Sequence, residues 1–228
     1  MKGFTIAIDG PVAAGKGTIA PLLAKTLNGF YLYTGAMYRC LALLGIEEKL
    51  NLDNEYELIK LLPSIDIELS EDKVLLSGRD VTTRLQEADV AAGSAKVAIF
   101  PAVRRVMVKK QQEIAEKFIG NGKIVIAEGR DAGTMVFPKA DLKVFLTATP
   151  EVRAKRRLEQ FKKIGSQLDY DKVLKDVKDR DRRDSTRIVD PLISNPVAHG
   201  YVIIDNTNLS EEQTVNLILN EVKNKGLL

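Results

Sequence analysis

Nine residues near the amino end, Gly10-Pro11-Val12-Ala13-Ala14-Gly15-Lys16-Gly17-Thr18, combine two flanking glycines, a lysine and a hydroxyl in the order of a phosphate-binding loop. Small residues let the backbone wrap an anion so that successive amides point inward. A helix opening at the end of the loop adds its partial positive charge, and Lys16 can reach the outer phosphates. The competing reading is a glycine-containing turn with a solvated lysine, yet a mere turn does not require both glycines, the lysine and the hydroxyl in this order. The residue after the lysine is Gly17, and the hydroxyl follows one later at Thr18. Direct ligation of a metal ion by this loop is therefore not expected.

Three further groups of residues carry chemistry. Thr34-Gly35-Ala36-Met37-Tyr38-Arg39 places a hydroxyl, a flexible glycine and an arginine just after an apolar run, although a plain loop and helix start would read the same way. Glu128-Gly129-Arg130-Asp131 follows a second apolar run and brings two carboxylates and a guanidinium to a strand end, where a surface turn with an ion pair is the alternative. At 100° per residue, Val173, Val177, Arg180, Asp184 and Arg187 form one helical stripe, with Arg183 beside it. A stripe that begins apolar and ends charged points its charged end into an anion-binding cleft. Charge pairs on an exposed helix are the competing account. Arg153, Arg156 and Arg157 precede this helix on a polar segment expected to pack poorly and to act as a mobile lid over phosphates.

The elements that must position these groups alternate. Strands are expected at Phe4 to Ile8, Phe30 to Tyr33, Lys123 to Ala127, Leu142 to Thr147 and Tyr201 to Ile204. Helices are expected at Thr18 to Leu27, with a kink near Pro21, at Ala36 to Leu44, ended by Gly45, and at Val97 to Phe118, interrupted near Pro101. Ser210 and Gln213 have capping-box spacing ahead of a helix to Val222. Continuous apolar strands between helices indicate an α/β fold whose central parallel sheet is covered on both faces. Ile65 to Leu69 and Val74 to Leu76 alternate around the turn-rich Ser70 to Lys73, the pattern of a small inserted hairpin.

With 228 residues, 45% of them hydrophobic, the chain has the size and apolar content of one large domain, which excludes collagen, disorder and mini-protein scaffolds. A net charge of +3 does not argue for nucleic acid. The positive excess is local, with thirteen Lys and Arg against nine Asp and Glu between Glu151 and Asp190. The single Cys40 cannot form an internal disulfide, the first apolar run is too short for a secretory signal, and no apolar stretch of membrane-spanning length occurs. A cytoplasmic protein with no membrane partner is expected. Cys40 and the single His199 lack partners in sequence and read as structural.

Taken together, the loop, the Thr34 to Arg39 segment, the Gly129-Arg130-Asp131 turn and the Arg180 to Arg187 helix resemble the bacterial cytidylate kinases, from about Phe4 to Ile204. The resemblance implies a three-layer P-loop NTPase fold in a single domain, with a monophosphate-binding insert at about 60–95 and an arginine-rich lid at about 151–170. It implies phosphoryl transfer from ATP to CMP or dCMP with Mg2+, by a monomer. It further implies that Gly10 to Thr18 hold ATP, that Lys16, Arg130, Arg153, Arg157 and Arg180 are catalytic, and that Thr34, Arg39, Arg104, Arg130, Asp131, Arg180, Asp184 and Arg187 hold the CMP side. The metal ligands are left unassigned, because Lys-Gly-Thr resembles loops whose metal shell is largely water. Three positions depart from the family pattern: Tyr33 and Glu128 each stand where aspartate is usual, and Ala95, next to Ser94, stands where serine is usual. Other readings are a P-loop kinase for UMP, AMP or shikimate, or a nucleotide-binding regulator.

Overall fold

A computed structural model describes residues 3–70, 73–163, 165 and 168–228. In chain order the elements are β1 (Thr5–Asp9), α1 (Lys16–Thr26), β2 (Phe30–Tyr33), α2 (Thr34–Glu47) and α3 (Glu55–Leu61). They continue with β3 (Ile67–Leu69), β4 (Val74–Leu76), β5 (Arg79–Asp80), α4 (Ala88–Val97), α5 (Pro101–Gly120) and β6 (Val125–Gly129). The last are β7 (Leu142–Thr147), α6 (Pro150–Lys163), α7 (Tyr170–Thr186), β8 (Tyr201–Asp205) and α8 (Glu211–Asn224). Five strands form a parallel sheet in the order β2-β6-β1-β7-β8.

Alternation along the strands builds two separate interiors. Ile6 and Ile8 of β1, Ile126 of β6 and Val144 of β7 pack with Ile19 and Leu23 of α1 and Ile218 and Val222 of α8. Ala7, Val125 and Ala127 face the other way, onto Ala115 of α5 and a π-helical turn at Ala132–Val136. The result is the expected three-layer α/β arrangement, with every carboxyl strand end on one edge. A third core joins α2, α4 and α5 to the small antiparallel sheet β3-β4-β5.

Several boundaries differ from expectation for physical reasons. Helix α1 runs unbroken through Pro21; the amide it lacks would have met the carbonyl of exposed Gly17, which solvent can serve. Gly45 lies inside α2 rather than ending it, because a Cβ there would come within 2.5 Å of Leu52. Pro101 begins α5 at a position where no amide is required, so the helix expected from Val97 starts only there, and Val97 instead ends α4. The inserted hairpin gains a short third strand, and residues 71–72 of its turn lie outside the described residues. Segment 151–163 is a helix with an apolar stripe, Ala154, Leu158 and Phe161, that packs on Val173, Val177 and Leu174 of α7. It is thus better packed than its polar composition suggested. Residues 164, 166 and 167 of the expected lid lie outside the described residues.

Candidate active site

The loop at the end of β1 needs glycine where it leaves the sheet, since a Cβ on Gly10 would stand 2.0 Å from the Leu146 carbonyl oxygen. Gly15, just before α1, has φ 93°, and Ala13 has φ 57°, so the chain curls through left-handed conformations. The amides of Ala13 to Gly17 have no acceptor among the described residues and remain available to an anion. Lys16 is 4% exposed, and its Nζ folds back to donate to the carbonyls of Gly10 and Pro11, each at 2.8 Å. Burial, with nearby Arg130, lowers its pKa to about 7.

Opposite the loop stand cations that strain against each other. Arg130 donates through Nε to Asp184 at 2.7 Å. Arg180, one α-helical turn before Asp184, has no hydrogen-bond acceptor or ion-pair partner among the described residues. Burial and the charges of Arg130 and Arg157 lower its pKa to about 10. Arg157 lies over the Phe161 ring, 4.5 Å from its centroid, and Arg39 adds to the positive field around it. Arg39 is held by the Leu85 carbonyl at 2.5 Å, so the segment after the small sheet fixes its direction. Thr34 donates to the Glu128 carbonyl at 2.6 Å and ties the ends of β2 and β6 together. Arg39, Arg130, Arg157 and Arg180 outnumber the carboxylates beside them, Asp184 and Asp176; like charges in such excess are costly at partial burial, and a phosphate group relieves that cost.

A second cluster lies beyond these cations. Arg104, 2% exposed, donates to Asp131 and, at 2.7 Å, to Asp190, while its remaining nitrogen donates to the Ala98 carbonyl at 3.0 Å. Arg187 donates to the Asp190 carbonyl at 2.6 Å and lies 3.8 Å from Asp131. Two guanidinium groups and a carboxylate at one place can read a flat, polar ring edge. Arg153 is different. Its nitrogens are engaged by the Ala148 and Val12 carbonyls and by Asp181, so it braces the loop.

Comparison with known proteins converges on one family. The family model for cytidylate kinase matches residues 6–224. The chain belongs to the cytidylate kinase family. It is 40% identical over 218 residues to the cytidylate kinase of Caldanaerobacter subterraneus, covering 96% of this chain and 94% of that one. It is also 40% identical over 223 residues to the cytidylate kinase of Fusobacterium nucleatum, covering 98% and 99%. An uncharacterised protein from Eubacterium ventriosum shares the fold with a TM-score of 0.55 at 14% identity, over 98% of this chain and 99% of that one.

The positions that depart from the family pattern have visible surroundings. Glu128 is 8% exposed and accepts from the Tyr31 hydroxyl at 3.4 Å. Tyr33 stacks on Tyr31 with ring centroids 5.9 Å apart. Ser94 does not stand in for the missing serine at Ala95, because its hydroxyl is spent on the Ala91 carbonyl at 2.9 Å.

Other groups were not foreseen. Asp9 is fully buried; one oxygen accepts from the Ala132 amide at 2.8 Å and the other from the Gly133 amide and the Tyr201 hydroxyl, each at 2.7 Å. Burial pushes its pKa up, and the three donors pull it back. Asp9 thereby pins the turn that carries Arg130 and Asp131. Asn206 donates to the Ala14 carbonyl at 3.0 Å and is itself gripped by Arg156, which steadies the loop from β8.

Among the described residues no three His, Cys, Asp or Glu side chains converge on one point.

Proposed function

We propose that the chain transfers the terminal phosphoryl group of ATP to CMP or dCMP, giving ADP and CDP or dCDP. The observation that carries this reading is Arg180, a half-buried guanidinium beside Arg130 with no acceptor of its own among the described residues, in a fold whose Ala13 to Gly17 loop amides likewise lack acceptors among those residues. The loop from Gly10 to Thr18 holds the donor's phosphates, with Lys16 swinging from its carbonyl partners to the outer ones. Arg39, Arg130 and Arg180 hold the acceptor phosphate. Such a phosphate has a second pKa near 6 and is ionised at neutral pH, so no strong base is needed. Alignment and charge neutralisation do the work. Magnesium arriving with ATP would offset phosphate charge, and Thr18 of the loop and Glu128, whose charge reaches Lys16, would hold it through water.

Base choice follows from the second cluster. Cytosine presents an amino donor beside a ring-nitrogen acceptor, whereas uracil presents the reverse. The Asp131 carboxylate accepts from the amino group, and Arg187, with the second N–H of an Arg104 terminal nitrogen, donates to the ring edge. In this reading the region at about 60–95 forms the monophosphate side through its hold on Arg39. The α6–α7 hairpin closes as the lid, with Arg157 as its inward charge and Arg153 as its brace. In this reading the activity belongs to a monomer acting on cytoplasmic nucleotides. No helix among the described residues is long and apolar enough to cross a membrane.

The test is a coupled ADP-release assay with ATP across CMP, dCMP, UMP and AMP. Preferential turnover of CMP and dCMP is expected. Preferred turnover of UMP or AMP would overturn the base assignment, and no ADP with any acceptor would favour a regulator.

A further inference from the structure

Val12, in the donor loop, is held in three ways by the α6–α7 hairpin. Its side chain sits in the apolar seam with Ala154 of α6 and Val173 and Val177 of α7. Its carbonyl accepts from Arg153 at 3.0 Å, and its amide donates to Asp181 at 3.3 Å. Arg153 and Asp181 are themselves paired at 2.7 Å, with Arg153 only 4% exposed. This makes a closed ring of contacts in which one carboxylate meets both the loop backbone and the brace that holds it. Asp181 directly follows Arg180, and Asp184 and Arg187 are farther along the same helix and its exit.

We infer that Asp181 is a positioning residue that sets the shape of the donor loop from the helix that clamps the acceptor. The inference rests on the proposed kinase reading and adds to it a residue and a direction of coupling. Asp181 touches neither substrate in that reading. Its effect passes through Val12 and Arg153 to the loop, so the donor should feel its loss. The acceptor side has its own anchors to this region, Arg130 to Asp184 and Arg187 to the Asp190 carbonyl, and these do not involve Asp181.

Steady-state kinetics of the full chain with both substrates varied separates the two sides. In Asp181→Ala the KM for ATP should rise about tenfold, with the KM for CMP changed less than about twofold, as expected for one lost charged hydrogen bond. Asp181→Asn keeps an acceptor for the Val12 amide but loses the charge facing Arg153, and should fall between. Arg182→Ala, an exposed neighbour on the same helix, should leave both values unchanged. An unchanged KM for ATP in Asp181→Ala, or equal rises in both KM values, would overturn the inference. Should Asp181→Ala fail to fold, an unchanged KM for ATP in Asp181→Asn overturns it equally. If the wild-type chain releases no ADP with CMP, the kinase reading fails on its own. Calorimetric titration with ADP then decides the clamp: weaker binding by the Asp181 variants supports it, and equal binding refutes it.

Discussion

Arg180 should make the empty protein less stable while making the loaded one active, and Arg180→Met separates the two effects. Its pKa falls well below the ordinary guanidinium value, to about 10, in the folded chain, because it is partly buried beside Arg130 and Arg157. At 1.36 kcal/mol per pH unit that displacement corresponds to about 3 kcal/mol favouring the charged group in the unfolded chain. Water still reaches the guanidinium, and screening leaves about 1–2 kcal/mol. The folded value lies below the unfolded one, so the penalty is present throughout the neutral range and fades only above pH 10. Removing the charge while keeping the volume should therefore raise the Tm of the ligand-free protein by about 2–8 °C for a chain of this size. The same change should lower kcat by about 10²–10³, the usual loss when a donor to developing charge is removed. Thermal unfolding in phosphate-free and sulfate-free buffer at pH 7.5, followed by the ADP-release assay, reads both. A variant less stable than the wild type, or one that keeps its activity, would show that Arg180 is a structural group and not a waiting anion site.

Two other outcomes follow from the buried charges. Asp9→Ala strands two amides and a hydroxyl in the interior, and even after recovering the cost of burying a carboxylate should lose about 3–5 kcal/mol in urea unfolding. Tyr201→Phe removes one donor of three and should lose about 1–2 kcal/mol; equal small losses for the two variants would contradict the Asp9 account. Lys16, lowered to about 7 in the empty loop, regains its proton when a polyphosphate arrives. ADP binding at pH 8 should thus take up a proton, and affinity should fall by up to about tenfold per pH unit above 7. Titration calorimetry in two buffers of different ionisation heat checks this, and absence of proton uptake would contradict it.

Legibility in the sequence followed the range of the interactions. Strands β2 and β7 are bounded by residues that punctuate locally, and their ends match expectation. The Ser210–Gln213 capping box is likewise a matter of three residues, and both of its bonds form. The loop could be read because its chemistry depends on nine consecutive positions. Asp9 could not, because its partner Tyr201 is 192 residues away and a strand-end aspartate has no local signature. Asp181 and Asp190 sat unseen within a charged run for the same reason, since neither Val12 nor Arg104 is near them in sequence. The α6 stripe was obscured by its polar neighbours, although Ala154, Leu158 and Phe161 do recur at helical spacing. Gly45 misled because a glycine serves close packing as readily as helix termination.

The account requires a donor polyphosphate on the Lys16 loop and an acceptor phosphate on Arg130 and Arg180 at the same time, in one continuous cleft. Inhibition by adenosine and cytidine joined through five phosphates tests that requirement most directly. Such a molecule should bind far more tightly than ADP or CMP and compete with both ATP and CMP. Competition with one substrate only, or affinity no better than that of ADP, would mean that the loop and the arginines do not share a cleft.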